Sequence, residues 1–509
     1  MSAILSNTTN LVIFILMLGV LVFVHEFGHF FTAKRLGIPV LEFGFGFPPR
    51  AFVFARSEGR IEIQGRQIVI PKKFVLPQTL AVGSQVAYKT AFQNDREVLT
   101  SIEIIDAESQ GMIAASQVQS FDPGTEYSIN WIPIGGFVRL MGEEDPNVPG
   151  GFATAKPIAR ILVLLAGVTM NLAVAWLVFS TTSMLVPSAV TLQTTRIVNV
   201  APNSPAATEG LKANDWIIAA NGINVKNDYP TLSTMLRQNA GKTVTLTVVR
   251  NNSTLDPISI VPRANPPPGE GAVGIQLTGM AGPRVLAVEP GSVADRAGVQ
   301  PGDGLMFLID GKTPAKDENE IAEYVKTHPG FKIEWTLIRN DDSIGPIVVQ
   351  LPDSVTADSA KLGLKINATI LDAPVEGIRS IASIALETPK FIGRIMRGEI
   401  QENAFVGVIG MAQATNELAQ RGGALTLFQW FGLLSLNLAL VNLLPLPAID
   451  GGRLVFVLLE VIRGGKKIDP RKEAMVHLAG IIFLLGLMVI ISYFDIQRLL
   501  AGKSIFPSP

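Results

Sequence analysis

The segment His25-Glu26-Phe27-Gly28-His29 sets two of only four histidines in the 509-residue chain around a glutamate. On a helix, positions i and i+4 fall on one face about one turn apart, so both imidazoles can reach a single zinc ion. Glu26 lies beside that face, where a carboxylate can take a proton from an attacking water and return it to a leaving amine. The alternative is a helix ending in solvent with idle histidines, but ionisable groups continuous with a spanning helix are costly and usually functional. His328 and His477 are isolated and read as a loop residue and an interfacial residue.

A catalytic zinc normally takes three protein ligands and leaves one position open. The chain has no cysteine and no third histidine nearby, so the missing ligand should be a carboxylate that is otherwise hard to explain. Asp450 is the best candidate. It ends the third apolar run in the segment NLLPLPAIDGG, from Asn442 to Gly452, where Pro445 and Pro447 break the helix and Gly451-Gly452 permits a sharp turn. Broken backbone at membrane depth is tolerated only inside protein or at a wet cavity, which hydrolysis also needs. The other reading is a bare helix end at the interface.

The elements that must position these residues are apolar. The chain is 48% hydrophobic and only 17% charged, well below the roughly 25% of soluble domains, which argues against an ordinary cytosolic enzyme. A net charge of -1 argues against nucleic-acid binding, and zero cysteines exclude disulfides, thiol nucleophiles and iron-sulfur clusters. Four runs free of charge, ending at Val24, from Ile161 to Val186, between Arg421 and Asp450, and from Leu478 to Phe494, predict four spanning helices. The first lacks the positive start and the cleavage site of a signal peptide. Lys and Arg cluster after spans one and three, which places the amino terminus and residues 188–422 outside and residues 34–157 and 453–475 in the cytoplasm.

The outer segment repeats. Pro202, Ser204, Ala206, Gly210 and Asp215 recur as Pro290, Ser292, Ala294, Gly298 and Asp303, and Asn221-Gly222 is answered by Asp310-Gly311. Both copies resemble PDZ domains. The expected fold is therefore a multi-pass α-helical membrane protein of four spans, with two extracytoplasmic PDZ-like α+β domains and a cytoplasmic β-rich insertion. Its boundaries read 1–50 for the first span and membrane-associated strands, 51–124 for the insertion, 125–157 for a membrane-associated loop and 158–187 for the second span. They continue with 188–270 and 271–370 for the PDZ-like units, 371–422 for an amphipathic helical segment, 423–452 for the third span, and 453–509 for a cytoplasmic loop and the fourth.

Together these features resemble the site-2 protease family, in its bacterial branch with tandem PDZ domains, the regulators of sigma-E. The likeness runs through HEFGH, KRLGI (Lys34–Ile38), GFGFP (Gly44–Pro48), PIGGFVRLMGE (Pro133–Glu143), AGVTMN (Ala166–Asn171) and Asn442–Gly452. It implies that His25, His29 and Asp450 bind zinc, that Glu26 is the general base, and that Asn442, with Pro445 and Pro447, meets the substrate backbone. It also implies that the segments Gly44–Pro48 and Gly135–Gly142 approach the substrate. The implied activity is hydrolysis within membrane helices of single-pass proteins such as anti-sigma factors, in the bilayer of a bacterial inner membrane. The PDZ-like units would screen out bulky ectodomains or contact peptides. The insertion at 51–124 and the segment VGVIG, from Val406 to Gly410, depart from the family pattern. A non-catalytic PDZ adaptor is the competing reading, which the intact Glu26 disfavours. A metal transporter would want ionisable residues along several spans.

Overall fold

A computed structural model describes the chain except residues 1, 78, 106–114, 144–147, 251–252, 268–269, 310–312, 341, 355, 357–358, 397–405 and 507–509. The repeated Asp310-Gly311 pair, the Gln110-Gly111 pair within the insertion, whose residue types suit a turn, and Arg397 in the segment 371–422 lie outside the described residues. Two compact units emerge: residues 1–178 with 402–509, and residues 179–401.

Among the described residues, four helices are long and apolar enough to cross a membrane: Asn10–Arg35, Pro157–Ser183, Val408–Leu443 and Arg471–Leu500. Apolar side chains such as Leu16, Leu177, Phe483 and Val489 stand exposed on them, as lipid-facing surfaces require. The helix Val408–Leu443 is broken at Gly423, whose φ of 64° lies outside the helical region. The stretch beyond it, about 20 residues long, matches the thickness of the hydrocarbon core. This helix stops before Pro445, because the residue preceding a proline is pushed out of helical geometry, and Leu444 is extended. Asp450 therefore does not end the third span. It opens a separate helix, Asp450–Ile462.

In the first unit, the strands Val40–Arg56 and Glu126–Leu140 are each bent and pair with one another repeatedly. Phe45, for example, faces both Gly136 and Ile129, and Phe52 also faces Ile129. The result is a four-stranded mixed arrangement: residues 42–45 run parallel to 126–129 in the middle, 50–56 pair antiparallel on one side, and residues 136–140 pair antiparallel on the other as an outer edge. Gly135 and Gly136 let this edge pack on the first span: added Cβ atoms would fall 2.5 Å from Val22 and 3.0 Å from the Glu26 Cβ. Buried Glu42 ties the sheet together. It accepts hydrogen bonds from Arg50 and from the Ser128 hydroxyl, and it lies 3.3 Å from Arg139. Burial raises its carboxyl, but these bonds and charges outweigh it and hold the group below its ordinary value.

The β-rich insertion is a closed five-stranded barrel between the two bent strands. Its strands are Gly59–Ile63, Arg66–Ile70, Gln85–Gln93, Arg96–Ile104 and Ser116–Asp122. Alternation points Ile61, Ile63, Ile68 and Ile70 into its core beside Val86, Leu99 and Val118.

The second unit holds two lobes with separate cores, one around Ile217, Leu232 and Leu246 and the other around Phe307, Val325 and Trp335. The sequence repeat is a structural one. Ser204 and Ser292 each cap a short helix, accepting the N–H groups of Ala207 and Asp295. Asp215 pairs with Arg250, which also donates to the Gly210 carbonyl, and Asp303, Arg339 and Gly298 repeat that network. Each lobe carries a ten-residue helix, Tyr229–Gln238 or Glu318–Thr327, capped by Asp228 or Asp317. The helix Ala373–Met396 follows them.

Candidate active site

His25 and His29 lie one turn apart on the first spanning helix, both about 5% exposed. Asp450 reaches them from the first turn of its own helix. Its Oδ2 is 2.9 Å from His25 Nε2 and 3.3 Å from His29 Nε2, and the two nitrogens are 3.2 Å apart. The loop that delivers Asp450 folds back tightly: Cβ atoms on Gly451 and Gly452 would fall 2.1 Å from the carbonyl oxygens of Leu444 and Leu446.

The surroundings orient both rings. His29 donates its Nδ1 proton to the Val163 carbonyl at 2.8 Å, which leaves the Nε2 lone pair pointing at the cluster. The side-chain Nδ2 of Asn171, fully buried on the second span, lies 3.2 Å from His25 Nδ1, and its Oδ1 has no hydrogen-bond partner. Amide oxygen and nitrogen are interchangeable by rotation, so Asn171 can accept the Nδ1 proton and free His25 Nε2 in the same way. Two imidazole lone pairs and a carboxylate oxygen then converge on one point, an arrangement that repels itself unless a cation sits among them. This donor set fits zinc. Gly167, also on the second span, makes room for the rings, since a Cβ there would fall 2.6 Å from both His25 Cε1 and His29 Nε2.

Glu26, His29 and Asp450 open into one cavity of about 310 Å³. The sheet edge at Gly136, Phe137, Val138 and Leu140 forms one wall, and Phe152 and Leu164 add apolar surface. Arg453 and Glu143 form an ion pair in the same lining. The sequence-predicted Asn442, Pro445 and Pro447 are not among the lining residues. Asn442 is half-buried near the end of the third-span helix, Pro445 is exposed, and the residues after Pro447, Ala448 and Ile449, take the place at the wall. Sequence reasoning gave no role to Gly167 or Asn171, although both belong to the AGVTMN motif, nor to Glu143, Arg453 or His477. Of the two isolated histidines, His328 caps the helix Glu318–Thr327 and stacks on Tyr324.

A buried histidine pair and a neighbouring glutamate on a helix of membrane-spanning length, met by a carboxylate from the start of a short helix, define the class of membrane-embedded zinc metalloproteases. Within that class the match is specific: the profile of peptidase family M50 covers residues 13–64 and 108–487, and the chain belongs to that family, the site-2 proteases. It is a zinc-dependent intramembrane protease, which removes the adaptor reading. The chain is 25% identical to the regulator of sigma-W protease RasP of Bacillus subtilis, covering 96% of this chain and 99% of the relative. It is 26% identical to the probable protease eep of Enterococcus faecalis over 96% and 99% of the two chains. With the regulator of sigma E protease of Haemophilus influenzae it shares 24% identity, over 96% and 98%.

Proposed function

We propose that His25, His29 and Asp450 hold the zinc, that Glu26 is the general base, and that the substrate is an extended stretch of a single-pass membrane protein. One observation carries this reading: Glu26, His29 and Asp450 share a cavity whose wall is the free edge of a sheet. A peptide that adds to residues 136–140 as a further strand brings its backbone alongside Glu26. Zinc, when bound, supplies Lewis-acid polarisation of the scissile carbonyl and lowers the pKa of water. Glu26 takes the proton of the attacking water and delivers it to the leaving nitrogen. The buried imidazoles, fixed by Val163 and Asn171, keep their Nε2 atoms aimed at the reacting centre throughout.

The sigma-regulator names of the relatives support an anti-sigma factor as substrate, and the charge bias supports a bacterial inner membrane with residues 34–157 and 453–475 in the cytoplasm. The barrel then faces the cytoplasm, and the two lobes, as PDZ-like domains, lie outside. Asn442, Pro445 and Pro447 act in this reading through the chain path that leads to Asp450. The lobes differ in a way that bears on peptide contact. In the first, a groove of about 810 Å³ runs between the helix Tyr229–Gln238 and the strand that starts at Ile275. In the second, Glu318 fills the matching place, accepting the N–H groups of Ile366 and Asn367 at 2.5 and 3.0 Å. Only the first lobe is then open to an added strand.

The test is a reporter with one membrane helix, reconstituted with the protein and zinc, carrying either a trimmed or a folded ectodomain. Cleavage inside the membrane segment of the trimmed form alone is expected. Equal cleavage of both forms contradicts the screening role, and cuts confined to soluble segments contradict the substrate class.

A further inference from the structure

The turn that presents Asp450 is strained, and a neighbouring helix holds it. Ala448, two residues before Asp450, has a φ of 78°, a left-handed conformation that any side chain with a Cβ resists. Its N–H donates to Nδ1 of His477 at 3.0 Å. Pro447 packs directly on Gly480 of the same helix, where a Cβ would fall 2.3 Å from the Pro447 Cβ and 2.8 Å from its carbonyl oxygen. His477 and Gly480 are three residues apart, so they share one face of the fourth span. The His477 ring also lies 5.3 Å from that of Phe456, on the helix that begins with Asp450. The turn is thus gripped at Pro447, at Ala448 and beyond Asp450 by one histidine-centred face.

We propose that His477 is a positioning residue for the metal centre. As an acceptor at Nδ1 it holds Ala448 in its strained conformation and so fixes the direction in which Asp450 leaves the turn. The inference rests on the reading of Asp450 as a ligand. It accounts for one of the two histidines that lie outside the HExxH motif, and it gives the fourth span a part in the site without lending it a ligand.

The experiment measures zinc affinity of the full-length protein in detergent by competition with a chromophoric chelator, alongside reporter cleavage and the melting temperature. His477→Ala is expected to weaken zinc binding about 10- to 100-fold, the range for outer-shell partners of metal ligands. His477→Asn places an oxygen acceptor near the Nδ1 position and should recover most of that loss. Ala448→Gly removes the strain that His477 restrains, so the double variant carrying both His477→Ala and Ala448→Gly should bind zinc more tightly than His477→Ala alone. Unchanged affinity in His477→Ala overturns the proposal. So does a loss that neither His477→Asn nor the double variant relieves, since that pattern reports general packing. Asp450→Ala, run in parallel, separates the two levels: wild-type zinc binding in that variant overturns the ligand reading itself, whatever His477 does.

Discussion

Gly167 and His25 approach so closely that a single methyl group on the glycine would fall 2.6 Å from the imidazole Cε1. The second span therefore acts as the floor of the proposed metal centre, and its contribution is an absent side chain.

Gly167→Ala should strip the site. Alanine favours a helix over glycine by about 1 kcal/mol, so the fold should not suffer from backbone effects. The added carbon meets both histidine rings, and bound zinc, read by atomic absorption, should fall to a small fraction of wild type together with cleavage.

Asn171 should matter through what it accepts. Asn171→Leu leaves the His25 Nδ1 proton without a partner in a buried place and should weaken zinc binding about 10- to 100-fold. Asn171→Asp keeps an acceptor and should bind zinc at least as well as wild type. Chelator competition on the two variants distinguishes acceptance from mere packing.

Glu42 predicts an acid-side effect on stability. Its folded value is lowered, so the stabilisation is present above the unfolded carboxyl value and is lost as pH falls through the folded one. Glu42→Gln should cost about 1–3 kcal/mol near neutral pH. The gap in melting temperature from wild type should close on acidification below about pH 4.

The second lobe should be sealed by its own side chain. Glu318→Ala releases the Ile366 and Asn367 amides, and their hydrogen exchange should speed up at least about tenfold while the Phe307 core stays protected. Unchanged exchange at both amides contradicts the sealing role of Glu318.

The HExxH spacing, the four apolar runs and the outer repeat were legible because each is a local pattern with a period or a spacing. The place of Asp450 beside the two histidines was legible by chemistry, since a chain without cysteine has few residues that could complete the proposed zinc site. What could not be read depends on contacts between distant segments. Residues 40–56 pair with 126–140 across an intervening barrel, and nothing in either strand marks that register. Arg250 and Arg339 complete the repeated aspartate networks from strands beyond the matched motif. Gly167 and Gly480 work by close approach, which leaves no periodic trace. Asp450, at the end of the third apolar run in sequence, opens a separate helix because the chain breaks before Pro445 and then turns through Ala448, whose left-handed conformation its residue type does not advertise.

The most direct test of the account is the zinc content and reporter cleavage of purified Glu26→Gln. The account predicts zinc bound at the wild-type level, an unchanged fold, and cleavage lower by at least the 10²–10⁴-fold or so that general-base catalysis contributes. Cleavage at the wild-type rate by that variant would contradict it.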